Sequence, residues 1–195
     1  MRHLVITIGC EYGAKGNAIG RKIAEDLNIK FYNRDLVDEI IEEVGIPKEI
    51  MEKVEEGGTI AGKGAEGDVR GSFSKYADLT DRAIHVQKQI IRKLAEKESC
   101  VIIGRSADYI LKDRDDVLNV FIHGDMPEKT QRIMGLYNVE EKEAVKMMAD
   151  TDKRRMTNYS FYTDQKWGKA SNYTLCLNSS KLGYDRCEKI IMECI

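Results

Sequence analysis

Between residues 6 and 20 the chain reads ITIGCEYGAKGNAIG, an apolar, β-branched run that meets glycines and leaves with helical spacing. Such a turn can aim backbone N–H groups at an anion, because glycine tolerates the unusual dihedrals this needs. A lysine within it adds a mobile positive charge over the outer phosphates of a nucleotide. The nucleotide-binding pattern G-x-x-x-x-G-K-[ST], laid over the chain, gives Gly9, four residues, Ala14, Lys15, Gly16 and Asn17. The leading glycine, the lysine and the flanking strand and helix agree with it. Ala14 replaces a glycine, and Gly16 replaces the hydroxyl residue that helps to hold magnesium. On these letters alone the stretch is either a phosphate cradle or a glycine-softened turn.

Other residues could join such a site. Arg105 follows the apolar run Cys100 to Ile103 in a Gly104-Arg105 step, where it would face a ligand or pair with Asp108 or another local acid. Arg34 follows a second short strand, and its neighbour Asp35 would touch a base or sugar, or cap the helix that begins at Leu36. Lys153-Arg154-Arg155 lies on a helix leading to Trp167-Gly168, and Arg132 lies on the helix after the fourth strand. A basic run on a helix is more often a solvated face. His3, His85 and His123 stand apart from cysteines and from one another at no metal-ligand spacing. Tyr159, Phe161, Tyr162, Trp167 and Tyr173 suit stacking on single-stranded nucleic acid or ordinary packing.

The elements that must position these residues alternate. Apolar strand runs occur at Leu4–Ile8, Ile29–Tyr32, Cys100–Ile103, Val117–Ile122 and Tyr173–Leu177. Helical spacing follows from Asn17, at Leu36–Val44 and Lys48–Val54, from about Lys75 to Lys97, through roughly Glu128–Asn158, and at Asp185–Ile195. Residues 57–71 hold six glycines and suggest a mobile loop. Strand–helix alternation predicts a parallel sheet with helices on both faces, and ligands of such sheets gather at the carboxyl ends of the strands. The loops after Ile8, Ile103 and Ile122 are therefore the ones to watch.

At 195 residues, 42% hydrophobic and 33% charged, the chain is long and mixed enough for one domain with a core. A net charge of -2 argues against a chain built to coat nucleic acid. The five cysteines form no CxxC pair, which suits reduced thiols in the cytoplasm. No apolar run is long enough to span a bilayer, so no membrane partner is expected.

The segments EYGAKGNAIGRKIAEDL, FYNRDLVDEI, VIIGRSADYIL and DTDKRRMTNYSFYTDQKWGKASNYTLCLNSS resemble the cytidylate kinase-like family. Its members belong to the P-loop nucleoside monophosphate kinases. Glu11-Tyr12-Gly13, Gly104-Arg105 and Asn172-Tyr173 carry the likeness most specifically. The chain is similar, more distantly, to true cytidylate kinases, whose loop also carries Lys-Gly where others have Lys-Ser. Many members of the cytidylate kinase-like group have glycine where this chain has Lys15.

The resemblance implies a three-layer α/β/α P-loop NTPase fold with a five-stranded parallel sheet. It divides a single domain into a core (1–32, 98–130 and 172–195), a monophosphate-binding region (about 33–97) and a lid (about 131–171). It implies transfer of a phosphoryl group from ATP to a nucleoside monophosphate, CMP or dCMP first, with Mg²⁺. Gly9, Gly13, Ala14, Lys15, Gly16 and Asn17 would hold ATP phosphates, with Asn17 also a magnesium ligand. Arg34, Asp35, Arg105 and Asp152 would bind the monophosphate. Lys15, Arg132, Arg154 and Arg155 would be catalytic. Another small phosphoryl acceptor, or a nucleotide sensor without turnover, remain the alternatives. The letters do not fix an oligomeric state.

Overall fold

The computed structural model describes residues 3–47, 49–51 and 70–195. Five strands, β1 (Val5–Cys10), β2 (Lys30–Tyr32), β3 (Cys100–Ile103), β4 (Val117–His123) and β5 (Leu175–Asn178), form one sheet among these residues. All are parallel, in the order β2-β3-β1-β4-β5. β1 is central, with Ile8 opposite Ile103 on one side and Val120 on the other.

Alternation along the strands sends side chains to two cores. Ile6, Ile8, Val101, Ile103, Leu118, Val120 and Ile122 pack with α1 (Gly16–Asp26) and, through Cys187 and Ile191, with the last helix, Tyr184–Glu193. Val5, Cys100 and Ile102 pack on the other face with α2 (Arg34–Glu43) and α3 (Arg70–Lys97). The three-layer α/β/α arrangement follows. α4 (Ala107–Ile110), α5 (Met126–Tyr137), α6 (Glu141–Thr163) and α7 (Ser179–Leu182) complete the chain, making Tyr184–Glu193 α8. α5 and α6 close on a small cluster of Ile133, Ala144 and Met148.

Several boundaries differ from the sequence reading for local reasons. β1 continues to Cys10 because Gly9 and Cys10 stay in register with Phe121 and Ile122. α2 begins at Arg34, since the side chain of Asn33 accepts from Leu36 N at 3.0 Å; Asn33, not Asp35, is the cap. Asn138, left-handed at φ 53, separates α5 from α6 within the stretch read as helix-rich. The glycine-rich segment lies outside the described residues except for its end, where Arg70 and Gly71 already belong to α3. Of the helix expected at 48–54, residues 49–51 are helical and the rest lie outside the described residues. Among the described residues no helix is long and apolar enough to cross a membrane.

Close packing of α1 onto the sheet sets the sequence at its start. A Cβ at Gly16 would lie 2.5 Å from Cys10 Cβ and 2.7 Å from its Sγ, and one at Gly20 would lie 2.6 Å from Ile103 Cδ1. The hydroxyl residue expected at position 16 therefore has no room. Gly16→Ser should cost about 1–3 kcal/mol by overpacking. In combination with Cys10→Gly the two changes should cost less than their sum, as denaturant unfolding of the four proteins would measure.

At the opposite end of the sheet, Asp116 accepts from Arg114 Nε at 2.9 Å and Nη2 at 2.6 Å and pairs with His3 Nδ1 at 2.7 Å. These hydrogen bonds, those of Arg114 first, hold its carboxyl down at about 2. A depressed acid stabilises the fold above its unfolded pKa, near 4, and the contribution is lost as pH falls through about 2. Asp116→Asn should cost about 1 kcal/mol at neutral pH after solvent screening. The gap from wild type should close in acid between pH about 4 and about 2, read by unfolding at a series of pH values.

Candidate active site

Residues 11–15 turn from β1 into α1. The turn is held by Glu11 N donating to Ile122 O at 3.0 Å and Ala14 N donating to Glu11 O at 3.1 Å. Its left-handed residues are Gly13 (φ 84) and Lys15 (φ 63); Ala14 is fully buried and needs no positive φ. Alanine at that position is thus compatible with the turn, while lysine next to it occupies backbone that glycine would hold without strain. The cost for a non-glycine residue there is about 1–2 kcal/mol. The N-terminus of α1 opens onto this turn, a disposition that favours anions.

Two neighbours brace the turn. Glu11 accepts from the buried Lys129 at 2.7 Å and from Gly124 N at 3.2 Å, tying the turn to α5. Arg132, also on α5, donates to Gly13 O. The Lys15 ammonium points to α8, where it donates to the Tyr184 hydroxyl and lies 3.7 Å from the ring centroid. Asn17 is exposed in the first turn of α1.

Beside the turn, at the carboxyl ends of β1 and β3, lies a cavity of about 470 Å³. Arg34, Arg105, Arg154 and Arg155 line it together with Gly9 and Cys10, and Tyr159, Tyr162, Trp167 and Tyr173 supply aromatic walls. Arg105 follows Gly104 (φ 69) and is itself left-handed, as is Ser106 (φ 56 and 53). Its guanidinium, 5% exposed, donates to Asp38, which stands 3.9 Å from Arg34 Nε. Burial, then the Arg105 charge, pulls Arg34 down to about 10. Burial pushes the Asp38 carboxyl up against the opposing pull of Arg105. Gln87 of α3 donates to Arg105 O at 3.3 Å, fixing the amide so that its oxygen is the atom left without a partner among the described residues.

α6 supplies the opposite wall. Arg155 Nη1 donates to Cys10 O at 2.8 Å and lies 3.4 Å from Asp152, which accepts from Tyr12 N at 2.8 Å. Burial raises the Asp152 carboxyl. Asp152 therefore joins α6 to the turn and braces Arg155. Arg154 is exposed at the rim, 3.4 Å from Thr151 Oγ1. Farther along, Tyr159 donates to the buried Asp108 at 2.6 Å, and burial is the main reason both groups titrate high. Asp108 is thus taken by Tyr159, and among the described residues Asp38 is the acid paired with Arg105. Phe121 gathers the aromatics, with Trp167 edge-on at 5.1 Å and Tyr173 at 5.0 Å.

The expected residues fall into two groups. Gly9, Arg34, Arg105, Arg154 and Arg155 meet in the cavity, while Gly13, Lys15 and Arg132 meet around the turn and Tyr184. Asp35 sits exposed on α2, 3.5 Å from Asn33 Nδ2, away from the cavity lining. Asp38, Gln87, Lys129 and Tyr184 went unread in the sequence, while Glu11 was read only as part of the family likeness and Asp108 only as a partner for Arg105. Asp38 alone had a local signal, its i,i+4 spacing from Arg34. Among the described residues no group of three His, Cys, Asp or Glu side chains could hold a metal. A magnesium ion carried by nucleotide phosphates and water needs fewer protein ligands, and the exposed Asn17 carbonyl oxygen is compatible with that role.

The cytidylate kinase-like family model matches residues 5–181. A crystal structure of an uncharacterized protein from Eubacterium ventriosum is 31% identical, covers 98% of both chains and superposes with a TM-score of 0.77. Shikimate kinase from Bacteroides thetaiotaomicron, 15% identical over 98% of this chain and 97% of its own, superposes at 0.54. Shikimate kinase from Acinetobacter baumannii in complex with shikimate, 15% identical over 99% and 93%, superposes at 0.51. No match is found among curated proteins. The last two likenesses speak to fold alone, and the match of the family model over residues 5–181 carries the assignment: the chain belongs to the cytidylate kinase-like family.

Proposed function

We propose that this protein transfers the γ-phosphoryl group of ATP to a nucleoside monophosphate, CMP or dCMP first, giving ADP and the nucleoside diphosphate. The observation that carries the proposal is the cavity at the ends of β1 and β3, with four arginines and four aromatic rings in its lining. Arginines suit the phosphate of an acceptor and the rings suit its base. A volume near 470 Å³ falls within the range of small-molecule sites.

In this reading the turn formed by Gly9, Gly13, Ala14, Lys15, Gly16 and Asn17 holds the ATP phosphates, with backbone N–H groups and the Lys15 ammonium as donors. Arg34 and Arg105 orient the acceptor phosphate so that one of its oxygens attacks the γ-phosphorus in line, and the bond to the β-bridging oxygen breaks as the new one forms. Arg154 and Arg155 neutralise the charge spread over the migrating group. Asp152 keeps Arg155 in place, and Arg132 steadies the turn through Gly13 O. Asn17 would be the protein's ligand to Mg²⁺, which when bound neutralises charge between the β- and γ-phosphates. We place the reaction in the cytoplasm, with support from five free cysteines.

A non-nucleotide acceptor is the second reading, favoured by the fold shared with shikimate kinases. The absence of an acid cluster among the described residues favours a third, a sensor that binds without turnover. Coupled ADP-release assays across the common nucleoside monophosphates and shikimate separate them. Turnover with CMP or dCMP, reduced about 100-fold in kcat by Lys15→Ala, is the expected result. Turnover only with shikimate selects the second reading, and ATP binding with no acceptor turned over selects the third.

Arg105→Lys gives an independent check, since it keeps the charge but loses the planar fork. It should lower kcat/KM for the monophosphate by about 10-fold or more while the KM for ATP stays within about twofold. A rise confined to the ATP KM would place Arg105 on the wrong substrate.

A further inference from the structure

We infer that Tyr184 is a positioning residue for Lys15, holding the ammonium where it meets the nucleotide phosphates. The inference rests on the ATP-dependent reading above. Lysine carries its charge on a flexible four-carbon stem, so its tip must be held if it is to act at one place. Tyr184 does this in two ways: its hydroxyl accepts from Lys15 Nζ, and its ring lies beneath the cation at 3.7 Å from the centroid. An ammonium has three donors; Tyr184 occupies one, and two stay available to phosphate oxygens.

The backbone at both ends fits a held pair. Lys15 is left-handed at the start of α1, on backbone where glycine would be relaxed. Strain kept at such a place points to the side chain as the reason. Tyr184 opens α8 directly after Gly183 (φ 73), so the turn between α7 and α8 sets where its ring stands. Tyr184 thus connects α8 with the turn, although 169 residues separate it from Lys15.

Calorimetric titration of the full chain with ATP and Mg²⁺ tests this in wild type, Tyr184→Phe, Lys15→Ala and the double variant. Tyr184→Phe keeps the ring and loses the hydroxyl. It should weaken ATP binding about 5-fold in the wild-type background and have almost no effect beside Lys15→Ala. A merely structural tyrosine would weaken binding equally in both backgrounds, and that result would overturn the inference. Tighter binding by Tyr184→Phe would also overturn it, because Tyr184 would then be withholding the lysine from the phosphates. Wild-type protein that binds no ATP would remove the nucleotide reading itself, and this inference with it. Retained ATP binding without the coupling would remove only the inference.

Discussion

The drawing of α1 onto the end of β1 governs the geometry of the site. Gly16 sits so close to Cys10 that even a methyl group would enter the thiol and its Cβ. Gly20, one turn later, lets Ile103, Ile8 and Val101 press against the helix. That contact fixes how soon the chain must reverse after the strand, and the reversal puts Gly13 and Lys15 in the left-handed region. It also brings the N-terminal end of α1 to the carboxyl edge of the sheet, where a parallel α/β fold gathers its ligands. The glycine that follows Lys15 thereby has a steric origin.

Around this edge the fold manages a concentration of positive charge. Arg34 and Arg105 are brought together by α2 and the Gly104-Arg105 step, and burial first, then the charge of Arg105, lowers the pKa of Arg34. Asp38 answers from α2 and Asp152 answers Arg155 from α6, while Glu11 answers Lys129 beneath the turn. Removing one member of a buried pair leaves an uncompensated charge, which costs more than the pair itself contributes. These acids are therefore better understood as braces that keep cations convergent than as candidates for direct chemistry. A phosphate entering the cavity would join a set of donors already oriented.

Alternating apolar runs made the layers legible, since strand positions such as Leu118, Val120 and Ile122 do share one core. What the letters could not carry depended on neighbours distant in the chain. Nothing near Arg105 in sequence says that Asp38 faces it while Asp108 turns to Tyr159. Ala14 looked like a defect only because the pattern assigns a glycine there; its actual dihedral decides that it is not. Asp35 had the composition of a cap, but Asn33 stands at the right place for it. Tyr184 carried no signal, because its contact with Lys15 requires the first and last helices to lie on the same face of the sheet. The kinase reading came from resemblance, and the arginine cavity is where we propose that it acts.

The distribution of backbone strain argues that this edge is where the molecule is specialised. Six non-glycine residues are left-handed among the described ones: Lys15, Asn28, Arg105, Ser106, Asn138 and Asp164. Asn138 and Asp164 cap the ends of α5 and α6, and Asn28 lies just past α1, all residue types that tolerate this conformation. Lys15, Arg105 and Ser106 are different in type and in place. They lie where the chain leaves β1 and β3, beside the turn and the cavity, and ordinary helix termination does not call for them. Glycine would relieve the strain at Lys15 or Arg105 and would also remove a cation from the site. Lysine and arginine remain at strained positions, as expected if the function of this edge depends on their charge.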